Sequence, residues 1–414
     1  MFQNRNIVGA VDFGSSGIRV LLGESLPDGT LSVIGRGEAP SKGIFKGEIC
    51  SSDTVFDQLA IALNDADAMS GGELCNCSML VIPISGCDIR SIQGRGSVNI
   101  DNPDGRVTEA DRARAYKTAR ICRLDAGRGI LNSSESFFII DDGLRRRDPI
   151  GQSADKLEAY VHIVHGVVNR MENFHQLVYN SGCEKSEMVF APMAAAEGVL
   201  VGEERENGVL LIDFGEGVTD YLLEFNHGVL ASGQLQIGFL HVANDLALGL
   251  EQPLDLCMRL LTDGTIAQAI AERKEFLDFP AGYGKVRRIP LASFETIIDQ
   301  RIRELMEIIR SAIDPEDLAL VNSGTVLTGG GALFEPAHRI VREVFRGTVR
   351  VGNPIDVVGA VSDLASPRYS AVWGALRIAD YYQRCLGDDG GGALQKILNL
   401  GDAIRRTFRA FGTK

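Results

Sequence analysis

The sequence lacks the long hydrophobic runs of membrane-spanning and secreted chains. No stretch approaches the roughly 18 to 20 continuous apolar residues of a transmembrane helix, and no basic segment followed by a signal-type apolar run opens the chain. We therefore expect a protein that is made and kept in the cytoplasm. The 414 residues are too many for one ordinary core, so about two to four compact units are expected.

An excess of positive charge is also lacking. The chain carries 55 acidic residues against 42 lysines and arginines, a net charge of -13. Nucleic acids are bound by basic surfaces, so this balance excludes nucleic acid as a general partner. With 45% hydrophobic residues, the composition is that of a folded soluble protein and excludes disordered, collagenous and coiled-coil chains.

Several sequence patterns for metal, disulfide and nucleotide sites are missing. The eight cysteines never occur with CxxC spacing, and the six histidines have no ligand spacing. We expect reduced, mostly buried thiols and no zinc site. The pattern GxxxxGK[ST] does not occur either, which excludes a Walker-type site.

What the chain does contain is a repeated strand-loop-strand pattern. The runs IVGAVDF, IRVLLGES and LSVIGRGEA are typical of consecutive hairpin strands, and GVLLIDFGEGVTDYLLEF repeats that opening. The repeat aligns DFG at residues 12–14 with DFG at 213–215. Between the copies, residues 85–162 mix a charged helix with β-like segments. The sequence thus predicts an α/β protein of two related lobes with a small inserted α+β unit.

The turns of this repeat have the composition of a phosphate site. Glycine lets backbone N–H groups approach a phosphate closely, and carboxylates position Mg²⁺. An isolated DxG is more often a plain turn. Two copies, followed by glycines 329–331 at a strand-to-helix junction, favour a phosphate site. Helices are expected over residues 245–261, 291–313 and 371–382.

The last residues differ from all that precede them. After the glycine-rich linker 387–393, the segment 394–414 carries five bases against one acid, a net charge of +4. On a helix its apolar residues recur at three- and four-residue steps and share one face. Such a basic amphipathic helix lies in the headgroup plane of anionic lipid, with reversible and salt-sensitive binding. The alternative is a terminal helix docked on its own core or on a partner.

The three glycine turns, in this order, resemble the phosphate-1, phosphate-2 and adenosine motifs of the actin, Hsp70 and sugar kinase superfamily. Within it, the chain resembles the bacterial cell-division family FtsA over nearly its whole length. That resemblance is carried by SKGIFKGEI, ISGCDIRS, VTEADRARAYKTA, DPIGQSADKLEAYVHIV, FAPMAAAEGVL, VLTGGGALFEP and SPRYSAVWGAL.

The resemblance implies an actin-like two-lobed fold with duplicated ribonuclease H-like subdomains, an inserted 1C-type subdomain and a C-terminal amphipathic helix. It divides the chain into 1–84 (subdomain 1A, first part), 85–162 (1C), 163–190 (1A, second part), 191–350 (lobe 2, with 2B about 240–310), 351–386 (return to 1A), 387–393 (linker) and 394–414 (membrane-targeting helix).

It also implies a function. FtsA binds ATP and Mg²⁺ between its lobes, polymerises, contacts later division proteins through 1C, and tethers FtsZ filaments to the cytoplasmic side of the cell membrane at the division site. Whether such a chain turns ATP over is left open, and no catalytic residue is assigned. The nucleotide-binding residues implied by motif are Asp12, Gly14, Ser15, Ser16, Asp213, Gly215, Gly217, Gly329, Gly330 and Gly331.

Two further sets of residues follow from the same comparison of motifs. A basic patch for the FtsZ C-terminal peptide would contain Arg287, Arg288 and Arg301, although exposed arginines on a surface helix are common. The membrane-binding residues would be Leu394, Ile397, Leu398, Ile404, Arg405, Arg406, Phe408, Arg409 and Phe411.

Some positions depart from the family pattern. Gly17 stands where the family usually has a lysine, and the nearest base is Arg19. In the second loop Glu216 replaces a glycine and Val218 a threonine, which adds a negative charge and removes a hydroxyl. The family's AExxK pattern, whose acid and base contact the ribose region, is also missing. Its acid and base would fall on Cys257 and Leu260, or on Met258 and Leu261. We expect these changes to weaken nucleotide binding.

Two alternative functions remain open from the sequence. A sugar or acetate kinase, or a phosphatase, could use the same superfamily body, and so could a pilus-assembly homologue of the PilM type. SKGIFKGEI, the inserted unit and the amphipathic tail favour FtsA.

Overall fold

The chain forms two lobes, and a smaller unit is inserted into the first of them. The computed structural model describes residues 5–280, 286–359 and 362–388. The elements before the inserted unit are β1 (Ile7–Phe13), β2 (Gly17–Ser25), β3 (Leu31–Pro40), β4 (Ile44–Phe45), β5 (Glu48–Ile49), α1 (Ser52–Ser70) and β6 (Cys77–Ile84).

The inserted unit is a small sheet covered by one helix. Its elements are β7 (Arg90–Asn99), α2 (Glu109–Ala119), β8 (Arg128–Ile140), β9 (Arg145–Arg146) and β10 (Lys156–Val167). The strands lie in the order β7-β10-β8-β9, and α2 packs against β7 and β10. Thr108 and Asp111 form a capping box that begins α2. This is the α+β unit that the sequence predicts.

The chain then completes the first lobe and builds the second. The next elements are α3 (Val168–Asn180), β11 (Ser186–Phe190), α4 (Ala191–Val199), α5 (Gly202–Asn207), β12 (Val209–Phe214), β13 (Thr219–Phe225), β14 (Gly228–Leu235), α6 (Phe239–Leu250), α7 (Leu254–Thr262), α8 (Thr265–Ala271), β15 (Phe276–Pro280), β16 (Val286–Pro290), α9 (Leu291–Ala312), α10 (Pro315–Leu318), β17 (Thr325–Thr328), α11 (Glu335–Phe345) and β18 (Val349–Val351). The first lobe closes with β19 (Val358–Gly359) and α12 (Ser370–Asp388).

The two main sheets repeat one topology. The first has the order β11-β6-β1-β2-β3-β19, and the second has the order β14-β13-β12-β17-β18. In both, an opening antiparallel hairpin gains a third antiparallel strand on one side and a parallel strand on the other. Asp12 pairs with Arg19 in the first hairpin, and Asp213 pairs with Asp220 in the second. The predicted repeat of lobes is confirmed.

The core of the first lobe lies between its sheet and the last described helix. α12 packs on α4 and on β1, β2 and β6. Trp373 of α12 is 1% exposed, and its indole N–H donates to the Ile355 carbonyl at 2.9 Å. The aromatic ring thereby loses its contact with water while its one donor stays paired. α12 is therefore an integral part of the lobe that carries Asp12.

The inserted unit also contacts the second lobe. Nε2 of His162 in β10 lies 2.7 Å from the Ser232 hydroxyl in β14, and both side chains are buried. The hydroxyls of Ser136 and Ser91 donate to the carbonyls of Val229 and Ser232 at 2.6 and 2.7 Å. The unit is therefore joined to the first lobe by the chain and to the second lobe by hydrogen bonds.

Two expectations from the sequence were wrong. The helix expected over 245–261 is two helices, because Glu251 takes a left-handed φ of 53° and Pro253 supplies no amide donor to continue α6. The cysteines are free thiols, but they are not mostly buried, since only Cys87 and Cys257 are. No helix among the described residues is both long and apolar enough to span a bilayer.

Candidate functional site

The three predicted glycine turns meet at one cleft between the lobes. The cleft encloses a cavity of about 620 Å³. All ten residues that the motifs single out for nucleotide binding line it, and their role in binding stays a prediction: Asp12, Gly14, Ser15, Ser16, Asp213, Gly215, Gly217, Gly329, Gly330 and Gly331.

The first two turns are closed by the same hydrogen bond. The amide of Gly14 donates to the Gly17 carbonyl at 3.1 Å, and the amide of Gly215 donates to the Val218 carbonyl at 3.0 Å. Each turn follows a buried strand that ends in Asp-Phe, so each sets a carboxylate at the base of the cleft. The two loops therefore present amides and carboxylates to the same space.

Three carboxylates lie at the base of the cleft with few compensating charges. Burial raises the pKa of Asp12, and the Arg19 guanidinium opposes this rise. Burial, together with the charge of Asp12, raises the pKa of Asp213 to about 7. Burial also raises the pKa of Asp220 well above its usual range, although the Ser85 hydroxyl donates to this carboxylate. A bound cation would relieve this cost of burying charge.

Arg19 lies beside the position where the family has its lysine. Its side chain is 4% exposed and is held by Asp12 at 3.5 Å, by Glu38 at 3.1 Å and by the Ser16 hydroxyl at 3.2 Å. A Cβ on Gly17 would lie 3.5 Å from a terminal nitrogen of Arg19. The guanidinium would therefore be in van der Waals contact with any side chain at residue 17.

The two departures in the second loop also lie at the cleft. Burial raises the pKa of Glu216, while Arg19 and Arg368 oppose the rise. Val218 is buried, and the neighbouring Thr219 hydroxyl donates to the Ile237 carbonyl at 2.7 Å. The hydroxyl missing at residue 218 is therefore not replaced by residue 219.

Part of the cavity lining is apolar. It comprises Phe239, Met258, Leu261, Ala267, Leu333 and Phe334. Of the two registers open for the AExxK pattern, the pair that lines the cavity is Met258 and Leu261, whereas Cys257 is in the core of the second lobe. Asp263 and Thr262 also line the cavity and provide polar atoms. Such a lining is suited to a flat, largely apolar group.

A magnesium ion fits beside the buried carboxylates only with help from a ligand. Among the described residues, no group of three or more His, Cys, Asp or Glu side chains is arranged to hold a metal. Mg²⁺ is commonly held by one or two carboxylates together with substrate phosphates and water. Asp12 and Asp213 supply such carboxylates, and one buried oxygen of Asp220 has no hydrogen-bond partner. The donor set thus suits a metal that arrives with a nucleotide.

Several cleft residues were missed by the sequence reasoning. Ser85, Asp220 and Arg368 line the cavity from three separate segments. Asp220 could have been found from the repeat. It pairs with Asp213 across the second hairpin, as Arg19 pairs with Asp12 across the first. Ser85 and Arg368 lie in segments that served only to identify the family.

The predicted partner and membrane residues lie elsewhere. Arg287 and Arg288 are on β16 and pair with Glu251 at 3.6 Å and Asp278 at 3.1 Å. Arg301 on α9 is held by Asp245 and by Glu304. The predicted membrane-binding residues, Leu394 to Phe411, lie outside the described residues.

Comparisons with known proteins agree on one family. The family described as "SHS2 domain inserted in FTSA" matches residues 86–165. Cell division protein FtsA of Neisseria meningitidis is 28% identical over 99% of both chains, and that of Borreliella burgdorferi is 29% identical over 90% of this chain and 91% of its own.

Solved structures show the same fold at low identity. The PilM-PilN type IV pilus biogenesis complex matches with a TM-score of 0.58 and 14% identity, over 89% of this chain and 98% of that chain. MreB5 of Spiroplasma citri bound to ADP matches with a TM-score of 0.55 and 12% identity, over 94% of this chain and 100% of that chain. The predicted actin-like two-lobed fold with an inserted unit is confirmed. Together with the repeated lobes and the shared cleft, the near full-length similarity confirms the predicted resemblance of this chain to FtsA, a family of cell-division proteins.

Proposed function

We propose that this protein binds ATP with Mg²⁺ in the cleft, polymerises on the cytoplasmic face of the membrane, and tethers FtsZ filaments there at the division site. The observation that carries the nucleotide part is the meeting of three glycine turns, from distant parts of the chain, around buried carboxylates in one cavity. Backbone amides of the glycine turns and apolar side chains in the same cavity suit the phosphates and the base of a nucleotide.

Different residues would bind the phosphates and the metal ion. Amides of the turns at Gly14 and Gly215 would hold the phosphates, and Asp12 with Asp213 would hold Mg²⁺ against them. The metal would neutralise charge on the phosphates and on the buried acids. Glu216 adds negative charge to the second of these turns, so affinity should be modest and turnover low or nil.

Titration of ATP with and without Mg²⁺ tests this part of the proposal. We expect saturable binding that is stronger with Mg²⁺, and loss of the magnesium dependence in Asp213→Asn. Failure of the wild-type protein to bind ATP under either condition would refute nucleotide binding. A coupled ADP-release assay over a panel of sugars and carboxylic acids separates this function from that of a small-molecule kinase.

Membrane attachment is proposed from the character of residues 394–414. Apolar residues on one helical face insert between lipids, and each nearby base adds about 1 kcal/mol on anionic lipid. The full chain should sediment with anionic vesicles and be released by salt. A chain ending at residue 393 should stay in solution; continued sedimentation of that shortened chain would contradict the proposal.

Binding of the FtsZ C-terminal peptide is proposed for the surface around β16 and α9. The Arg287 and Arg288 side chains are 47% and 67% exposed, so an acidic peptide can compete with the acids that pair with them. In a peptide pull-down, Arg287→Ala with Arg288→Ala should reduce binding. The exposed Arg310 on α9 provides the control, since Arg310→Ala should not. The same pull-down distinguishes this function from that of a pilus-assembly protein.

A further inference from the structure

A short hairpin of the first lobe reaches across to the second lobe at the edge of the cleft. It spans residues 41–49, and we call it the cleft hairpin. Its strands, β4 and β5, are joined by Lys46 and Gly47, whose φ values are both positive, at 50° and 71°. A two-residue turn of this kind usually has Asn or Gly at its first position, so a lysine there adopts an unfavourable conformation.

The turn of the cleft hairpin lies against the second phosphate loop, at a residue that the first phosphate loop also approaches. A Cβ on Gly217 would lie 3.2 Å from the backbone N and Cα of Lys46, and 2.5 Å from the Ser15 hydroxyl oxygen. Gly217 belongs to the loop of the second lobe, and Ser15 to the loop of the first. Lys46 therefore lies where the two loops come together.

The backbone of the cleft hairpin is held on both sides of the turn. A Cβ on Gly86 would lie 2.1 Å from the Gly47 carbonyl oxygen, so the two glycine backbones are in close contact. Arg170 of α3 pairs with Glu48 at 2.5 Å. These contacts hold the backbone that follows Lys46, while its long side chain extends from the turn.

Within the described part of the chain, the side chain of Lys46 is a cation without an acidic partner. Its ammonium lies 5.6 Å from the centre of the Phe45 ring, and that ring is 55% exposed. Among the described residues it forms no ion pair. A cation–π contact with an exposed ring is weak, so a phosphate can displace it.

The charge of Lys46 also acts on His241, in the first turn of α6. Burial, and then the Lys46 ammonium, lowers the pKa of His241. His241 accepts a hydrogen bond from the Gly238 amide at 3.1 Å, and a Cβ on Gly238 would lie 2.4 Å from the Glu216 carbonyl oxygen. The backbone of Lys46 thus lies against Gly217, while its ammonium is close enough to His241 to act on the residue that holds the Gly238 amide.

Resting on the nucleotide binding proposed above, we infer that Lys46 binds the terminal phosphate of a nucleoside triphosphate and lets the cleft distinguish a triphosphate from a diphosphate. A lysine is a compact point charge on a flexible stem and suits a phosphate oxygen at the end of a chain. The cleft hairpin then contributes one positive charge to a phosphate that the two phosphate loops also bind.

The test compares the affinities for ATP and ADP, each with Mg²⁺, in the wild-type protein, Lys46→Gln and Lys42→Gln. Lys42 is an exposed base on the same hairpin and serves as the control. We expect Lys46→Gln to weaken ATP binding about tenfold and to leave ADP binding within about twofold, the loss of one charge-assisted contact. Lys42→Gln should change neither affinity, and Lys46→Arg should recover most of the ATP affinity.

Two results would overturn the inference while leaving nucleotide binding intact. One is an ATP affinity of Lys46→Gln equal to that of the wild-type protein. The other is an equal loss of ATP and ADP affinity, with unchanged thermal unfolding to exclude misfolding. A wild-type protein that binds neither nucleotide would instead refute the proposed function and this inference with it.

Discussion

Gly329 lies so close to Asp213 that a Cβ on the glycine would be 2.2 Å from a carboxylate oxygen of the aspartate. Gly329 also takes a φ of 81°, which side chains rarely allow. The third glycine turn therefore abuts Asp213, the acid next to the end of β12.

Gly329→Ala should displace the Asp213 carboxylate. We expect ATP affinity to fall at least about tenfold, because the metal and phosphate contacts depend on ångström-level placement. Gly127→Ala is the matched control, since Gly127 has a similar φ of 79°, does not line the cleft, and a Cβ there would meet nothing within 4 Å. Calorimetric titration measures both. Equal affinities in the two variants would contradict this account of the contact.

Glu216→Gln should strengthen ATP binding. The carboxylate lies in the second glycine loop, and the substitution removes its charge while keeping its shape. We expect about fivefold higher affinity, which corresponds to the roughly 1 kcal/mol of repulsion between two unit charges about 4 Å apart in water. The same titration measures the change. A weaker affinity would mean that Glu216 assists binding, for example through the metal.

Stability should fall on acidification through His162. Burial lowers the pKa of His162 from 6.5 to about 4, so the folded protein keeps this ring neutral where the unfolded chain binds a proton. The stabilisation is fully present above about pH 6.5 and is lost as the pH falls toward 4, up to about 3 kcal/mol.

Denaturant unfolding at several pH values tests this prediction. His162→Gln should flatten the stability profile between pH 6.5 and 4, and it should reduce stability at neutral pH by about 1–3 kcal/mol if the Ser232 hydroxyl loses its partner. If the stability of the variant depended on pH as steeply as that of the wild-type protein, other groups would set the acid sensitivity.

Gly374→Ala should destabilise the first lobe. α12 crosses α4 so closely that a Cβ on Gly374 would lie 1.6 Å from the Ala194 carbonyl oxygen. The helices must separate, at a cost of about 2–3 kcal/mol. Gly347→Ala, where a Cβ would meet nothing within 3.8 Å, should be close to neutral. Thermal unfolding of the two variants checks the difference.

Local patterns sufficed for much of the fold. The two DFG turns and their strands could be aligned because each buried strand has a continuous apolar run and ends in the same residues. The break between α6 and α7 was missed because apolar residues continue at helical spacing through the turn at Pro253, and periodicity does not register one left-handed residue.

Only part of the cleft could be foreseen. The glycine turns can be recognised from their composition. Ser85 and Arg368, in contrast, reach the cavity through long-range packing that no local pattern encodes. The contact of Arg19 with residue 17 could not be predicted, because it depends on the direction of the Arg19 side chain in the hairpin. The cleft hairpin had a recognisable sequence, yet its contact with Gly217 arises only once both lobes are folded.

The position of α12 has a mechanical consequence. This helix leads toward the chain end and packs on β1, the strand that ends at Asp12 and Phe13. A pull on the chain beyond Asp388 would enter the molecule through the lobe that holds Asp12, while the lobe that holds Asp213 would bear none of it directly. Tension from an attached surface would therefore act on one wall of the cleft and tend to shift it against the other.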